Sequence, residues 1–206
     1  MNARVVATRG EAWKSDRRAR LLDAADRAIR RLGPRASMDD IAAEAGVTKV
    51  VLYRYFGDKG SLFASLAQRY LDELLPELRA ALTAGGDPLE RLHRTIEAYV
   101  AFIDTHREAY DFLMRRAVRE EGSAQEAITD FMRAVADEVA DVMAAEMDAL
   151  GMAPIPAEPW AHGLVGMVQM ATDRWLHQPD VDRETLVTLL VALLWRGFGG
   201  LRESSL

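Results

Sequence analysis

Between residues 49 and 59 the chain sets three cations, Lys49, Arg54 and Lys59, among two phenols, Tyr53 and Tyr55. Ammonium and guanidinium groups bind phosphate oxygens, and a phenol can donate its hydroxyl to one while its ring packs on protein. The set suits the capture of a polyanion rather than the making or breaking of a bond. Leu52 and Phe56 interrupt it four residues apart, the spacing of one helix face. They mark the buried side of a short helix, and Tyr53 and Tyr55 flank that stripe with their hydroxyls able to reach outward. Arg54 points away from the stripe, where a nucleic-acid contact and a merely solvated guanidinium are both open.

Two short helices must hold these groups. Ser37 and Asp40 form a capping-box pattern ahead of IAAEA, and Thr48 is a good N-cap for the run that follows. Ala45-Gly46-Val47 lies between them, and Gly46 suits a left-handed backbone. Short helices around a glycine make a helix-turn-helix pattern, here about residues 38–57. Ile41 and Ala45 can pack against Val47, Leu52 and Phe56. In such a motif the second helix offers its first residues to base edges, which are Lys49, Val50 and Val51 here. Asp58 is placed to cap the next helix, with Lys59 in its first turn. A cation there is unfavourable unless an anion binds beside it. Helix pairs around a glycine also occur in proteins that bind no DNA, so the spacing alone leaves that reading open.

The rest of the chain reads as helix too. Helices are expected near 16–32, 38–45, 48–56, 59–84, 88–104, 106–119, 123–150, 158–177 and 182–201, with no sustained alternation to signal a strand. Asp87-Pro88 with Glu90, Thr105 with Glu108, and Ser123 with Glu126 supply start signals. Gly85-Gly86, Gly122, residues 151–159 and Gln178-Pro179-Asp180 are the breaks. The expected fold class is all-α with about nine helices. Leu22, Ala25, Ile29 and Leu32 give the first helix a buried face. Residues 1–15, with Arg4, Arg9 and Lys14, lack a period and are expected to form a mobile basic arm. Such an arm could also reach into a minor groove.

Charge is distributed unevenly along the 206 residues. Residues 1–60 carry a net +5 and residues 61–206 a net −11, within a total of −6. A basic end on an acidic remainder fits one end meeting a polyanion. Chance clustering on solvated faces gives the same totals. Absence of cysteine excludes disulfides, thiolate metal sites and thiol nucleophiles. No apolar run reaches a membrane span, and LVTLLVALLW, residues 186–195, reads as a buried helix. The first residues lack the apolar core of a signal peptide, so a soluble cytoplasmic protein without a cofactor is expected.

The run SMDDIAAEAGVTKVVLYRYFGDKGSLF, residues 37–63, resembles the DNA-binding segment of the TetR family of bacterial transcriptional regulators. The likeness lies in an acidic-capped helix, then AGV, a cap residue, LY, an aromatic before F, a short spacer and a lysine. It is close over about residues 16–70 and beyond that is one of layout, which implies a three-helix head over 16–62 and a larger helical domain over 63–206. By position it implies base reading by Lys49, Val50 and Val51, and phosphate contacts from Tyr53, Tyr55 and Lys59. It also implies that Ser37 and Asp39 approach the backbone or a base. Val50 and Val51 depart from the small or hydroxylated residues frequent in the family. Neither can hydrogen-bond, so apolar contact with thymine methyls is expected, with Lys49 the main polar reader, of guanine.

The resemblance implies a small-molecule effector held in the larger domain. Tyr99, Phe102, His106 and Tyr110 recur at close to helical spacing, Met114, Met143 and Met147 lie on neighbouring helices, and Trp160, Met167 and Met170 on another. Such side chains suit a mostly apolar ligand, with His106 or His162 as a polar contact, though each fits an ordinary helical core as well. The family also implies a homodimer through its last two helices. Here Gly163 and Gly166 allow close approach, and Leu186, Leu189, Leu190, Leu193, Leu194, Trp195 and Phe198 make the last helix apolar on most sides. A two-fold dimer implies a palindromic double-stranded DNA operator. The usual family outcome is a repressor released by ligand, although activators exist.

Two rival readings stand beside this one. An enzyme with a helical di-metal site would use paired carboxylates and histidines, and His93 and Glu97 do lie four apart. The Glu-x-x-His pair from each of two helices that marks such bundles is not found, nor is a nucleophile elbow, a P-loop or a dinucleotide fingerprint. The other rival is a lipid-binding or scaffolding helical protein whose head does not use DNA.

Overall fold

The computed structural model describes residues 9–119, 123–149, 151 and 157–200. Helices α1 (Arg9–Leu32), α2 (Met38–Glu44), α3 (Lys49–Phe56), α4 (Lys59–Thr83) and α5 (Pro88–Thr105) are followed by α6 (Arg107–Arg119), α7 (Ser123–Ala149), α8 (Ala157–His177) and α9 (Arg183–Gly200). A 3₁₀ turn, Gly33–Arg35, joins α1 to α2. The fold is all-α, and no strand occurs among the described residues. None of the described helices is long and apolar enough to cross a membrane.

Three elements differ from expectation. Helix α1 opens at Arg9, well ahead of residue 16, so Lys14 stands on a helix and not on an arm. Residues 1–8, the break at Gly122 and the side chain of Ser123 lie outside the described residues. Thr105 does not cap α6 but ends α5, and His106 alone separates the two helices. The His106 N–H donates to the Phe102 carbonyl at 3.0 Å, which closes α5. Pro76 lies inside α4, where it cannot donate to the helical ladder.

The chain divides into two compact units. The first holds residues 1–68 and 108–128, so it contains the expected head and takes in 63–68 and 108–128 as well. In it α1 packs on α2 and α2 on α3. Ala25, Ala28, Ile29, Ile41 and Leu52 are almost fully buried. Small residues on α1 let α2 approach closely, and each large apolar side chain buried contributes about 1.5–3 kcal/mol. Phe63 of α4 meets Phe112 of α6 edge to face, ring centres 5.0 Å apart.

The second unit holds residues 69–107 and 129–206. Here α5 packs on α8 and α9. Val187, Leu190 and Val191 form the buried face of α9. Trp175 donates its indole N–H to the Val181 carbonyl at 2.7 Å, and Asp182 accepts from the Thr185 N–H at 2.8 Å. These two bonds fix the turn between α8 and α9. Arg79 of α4 forks onto Glu138 of α7, its Nε 2.7 Å from Oε1.

Candidate nucleic-acid interface and ligand cavity

Helix α2 starts at a complete capping box. The Ser37 hydroxyl accepts from the Asp40 N–H at 3.2 Å, and the Asp40 carboxylate accepts from the Ser37 N–H at 2.9 Å. Hydrogen bonds from the Ser37 side chain and backbone hold the Asp40 carboxyl below the usual carboxylate range. Ser37 is thus committed to the cap. The turn after α2 closes through Gly46, at φ +63°, and through the Val47 N–H, which donates to the Ala42 carbonyl at 3.0 Å. A Cβ on Gly46 would meet nothing within 4 Å, so the backbone angle, not crowding, selects glycine here.

Helix α3 has two clean sides. Leu52 is fully buried and Phe56 nearly so, while Val50 is 74% exposed and Tyr53 is 38% exposed. Tyr55 and Val51 are half-buried beside the stripe. Thr48 occupies the N-cap position, yet its side chain makes no capping bond, and the helix begins on the Thr48 carbonyl, which accepts from the Val51 N–H at 2.9 Å. Lys49 contacts Asp39 of α2, Nζ to Oδ2 2.8 Å, and this hydrogen bond raises the ammonium above the usual lysine range. The Arg54 guanidinium lies 5.6 Å from the Tyr55 ring centre. The Lys59 ammonium lies 5.5 Å from the Phe63 ring centre, and Asp58 caps α4 by accepting from the Ser61 N–H at 2.7 Å. Of the candidates, Asp39 of α2 and Lys49 of α3 meet across the turn, while Tyr53, Arg54 and Tyr55 stand on α3 and Lys59 opens α4. The Lys49–Asp39 pair was not foreseen, although an acid ten residues before a lysine across a tight helix turn is a usable signal.

The second unit holds a partly open cavity of about 420 Å³ with almost wholly apolar walls from α4, α5, α7, α8 and α9. Of the side chains expected at a ligand, Tyr99, Met143 and Met147 line it. The others do not. Phe102 and His106 pack with Tyr70, the imidazole 5.1 Å from the Tyr70 ring and 4.3 Å from that of Phe102. His106 Nδ1 lies 2.9 Å from the Phe102 carbonyl and its Nε2 3.8 Å from Glu73 of α4, and His162 Nδ1 lies 2.9 Å from the Glu158 carbonyl. Tyr110 and Met114 belong to the first unit. Trp160, Met167 and Met170 are exposed. Leu164, Val165 and Val168, on the other side of α8, form the wall instead. Both sides of α8 are apolar, so periodicity could not choose between them.

One charged pair stands at this cavity, and sequence reasoning missed it. Arg91 of α5 donates from both terminal nitrogens to Glu146 of α7, at 2.8 and 2.9 Å. Its guanidinium is raised above, and the Glu146 carboxyl held below, their usual ranges, each chiefly by this hydrogen bonding. Arg91, Thr95 and Tyr99 recur at helical spacing along α5, which is the signal that would have found it.

Family comparison settles what such a head and cavity belong to. Residues 21–66 match the family model described as bacterial regulatory proteins, tetR family, and residues 77–204 match that of the tetracyclin repressor-like C-terminal domain. The chain belongs to the TetR family. It is 38% identical over 192 residues to an HTH-type transcriptional regulator of Mycobacterium tuberculosis, covering 93% of this chain and 81% of that protein. The HTH-type transcriptional activator FasR of Mycolicibacterium smegmatis is 30% identical, over 89% of this chain and 84% of its own. A TetR-like transcriptional regulator from Rhodococcus superposes with a TM-score of 0.63 at 28% identity, over 95% of this chain and all of that one. FadR from Bacillus subtilis, solved in complex with stearoyl-CoA, shares the fold with a TM-score of 0.69 at 16% identity, over 87% of this chain and 98% of that one. This TetR-family chain is a helix-turn-helix transcriptional regulator, and its relatives are regulators rather than enzymes.

In this TetR-family chain the side chains expected at a subunit interface divide between two environments. Leu190 is buried against the chain's own core and Leu194 lines the cavity. Leu186 and Leu193 are half-buried, and the side chain of Phe198 lies outside the described residues. Part of the apolar circumference of α9 is covered within the subunit, because α5 packs on its inner face. Outward stand Leu189 and Trp195, and on α8 Trp160, Gly163, Met167 and Met170. Neither Gly163 nor Gly166 has an atom within 4 Å of a Cβ built on it, so neither serves close packing inside the subunit.

Proposed function

We propose that this TetR-family regulator is a dimeric repressor that acts in the cytoplasm on an inverted-repeat operator and leaves it when an apolar effector fills the cavity. The observation that carries the reading is the outward side of α3, where Val50 stands 74% exposed beside Lys49 while Leu52 and Phe56 are buried. Lys49, Val50 and Val51 read bases in this account, and Val50 and Val51 contact thymine methyls. Tyr53, Tyr55 and Lys59 bind phosphates, with Thr48 and Arg54 alongside. Ser37 fixes α2, and Asp39 holds Lys49 until DNA replaces it. The dimer face is the outward side of α8 with Leu189 and Trp195 of α9. Exposed apolar surface of this kind is the mark of a protein–protein contact.

Helix α4 supplies a route for the response. Leu78 and Leu82 near its C-terminal end line the cavity, and Lys59 opens its N-terminal end. A ligand that fits the cavity better when α4 is displaced favours that state by its difference in affinity, typically about 1–3 kcal/mol. The two heads of the dimer would then no longer match successive grooves.

An activator is the second reading, favoured by the 30% identity to FasR. Selection of bound fragments from a pool of genomic DNA, followed by a reporter fused to the selected site, separates the two. An inverted repeat with half-sites about one helical turn apart, or a multiple, is expected. Reporter output that falls when the protein is supplied marks the repressor, and output that rises marks the activator. No enrichment over random fragments at physiological salt would remove both.

A further inference from the structure

We propose that the Arg91–Glu146 pair is the head-group site of the cavity, and that the effector is an amphiphile whose terminal carboxylate displaces Glu146 from Arg91 while its aliphatic chain fills the apolar space. The inference rests on the reading of this cavity as the effector site and names the chemistry of its occupant.

Leu78, Ile96, Val135, Val139 and Leu164 offer a ligand nothing but apolar contact. The fork of Arg91 onto Glu146 is the charged group at this space. A partly open space of about 420 Å³ leaves room for one aliphatic chain.

The two partners are not equally free to leave. The Arg91 side chain is 20% exposed and that of Glu146 is 47% exposed. Glu146 can turn into water at little cost in hydration. Arg91 cannot, and a guanidinium stripped of its carboxylate against apolar walls is expensive. An incoming carboxylate reproduces the same two-pronged geometry, so the guanidinium keeps its hydrogen bonds through the exchange. An incoming cation would have to evict Arg91 from Glu146 and leave the less exposed charge stranded. Asp87, at the start of α5, also acts electrostatically on Arg91. It weakens the pull on any anion and makes the cation the natural competitor to test. Exchange has a mechanical consequence as well. The fork ties α5 to α7 across the cavity, and a ligand carboxylate on Arg91 releases that tie. The ligand thereby couples its own binding to a change in the wall.

Calorimetry with three twelve-carbon probes below their micelle concentrations tests this on the full chain: dodecanoate, dodecanol and dodecyltrimethylammonium. Wild type is expected to bind dodecanoate at least about tenfold more tightly than dodecanol and to bind the ammonium probe weakest. Glu146→Gln, which removes the internal competitor but keeps Arg91, should tighten dodecanoate several-fold and leave dodecanol unchanged. Arg91→Met should bring dodecanoate down to the level of dodecanol. Should Arg91→Met fail to fold, the Glu146→Gln comparison decides alone. Equal binding of acid and alcohol by wild type, a preference for the ammonium probe, or weaker dodecanoate binding by Glu146→Gln would overturn the assignment. Dodecanol that matches the acid and releases DNA would leave the apolar effector standing while the carboxylate site falls. Binding of none of the three would remove both.

Discussion

In the proposed complex the Lys49 ammonium, 2.8 Å from Asp39, has to share its three N–H donors between that carboxylate and a base edge. This sharing makes Asp39 an internal competitor for the operator. Asp39→Asn should therefore tighten binding to DNA, and Lys49→Ala should relax preference at one base pair, a loss of about 1–3 kcal/mol in discrimination. Lys59→Ala should behave differently. On the proposed reading it removes one phosphate contact from each subunit, so affinity should fall about equally for operator and random duplexes, and the slope of log affinity against log salt should shrink by about 2 for the dimer. Fluorescence anisotropy over a salt series checks all three. At this scale much was legible. Leu52 and Phe56 reveal their burial by spacing, Ser37 and Asp40 reveal their cap, and Gly46 its left-handed turn. The ion pair of Lys49 was not legible, because spacing fixes which residues share a face but not which side chains meet across a turn.

Helix α4 is the element that both carries Lys59 and lines the cavity, and it contains Pro76. An interior proline lacks the N–H of its turn and bends a helix, at a cost of about 3 kcal/mol in an isolated helix. Its place, just before Leu78, suits a helix whose ends must move differently. Pro76→Ala should raise the thermal unfolding midpoint and shrink the loss of DNA affinity that ligand causes. Calorimetric melting together with anisotropy in the presence of dodecanoate measures both, and an unchanged response to ligand would deny Pro76 a role. Helix count and order were readable from caps and glycines. The faces of α8 were not, since Trp160, Met167 and Met170 are as apolar as Leu164, Val165 and Val168, and only the packing partner decides which set turns inward. Thr105 misled for a similar reason: its spacing to Glu108 matches a cap, but the helix runs through it to His106.

At the scale of the whole molecule, the basic first sixty residues and the acidic remainder match a division of labour between DNA and ligand. Exposed apolar side chains on α8 and α9 are the proposed subunit contact, outside the chain's own core. Met167→Glu with Met170→Glu should convert the dimer to monomer in sedimentation, with helicity retained and operator affinity much reduced because one head alone must bind. A dimer that survives both charges would move the interface elsewhere. The central claim, that the outward side of α3 enters the groove of DNA, is tested most directly by Val50→Glu. Position 50 is open to solvent, so the fold should tolerate the change, and circular dichroism and sedimentation should match wild type. Operator affinity by anisotropy should fall about 100-fold or more, as a carboxylate meets phosphates and base edges. Unchanged affinity from a folded, dimeric Val50→Glu protein would contradict the account.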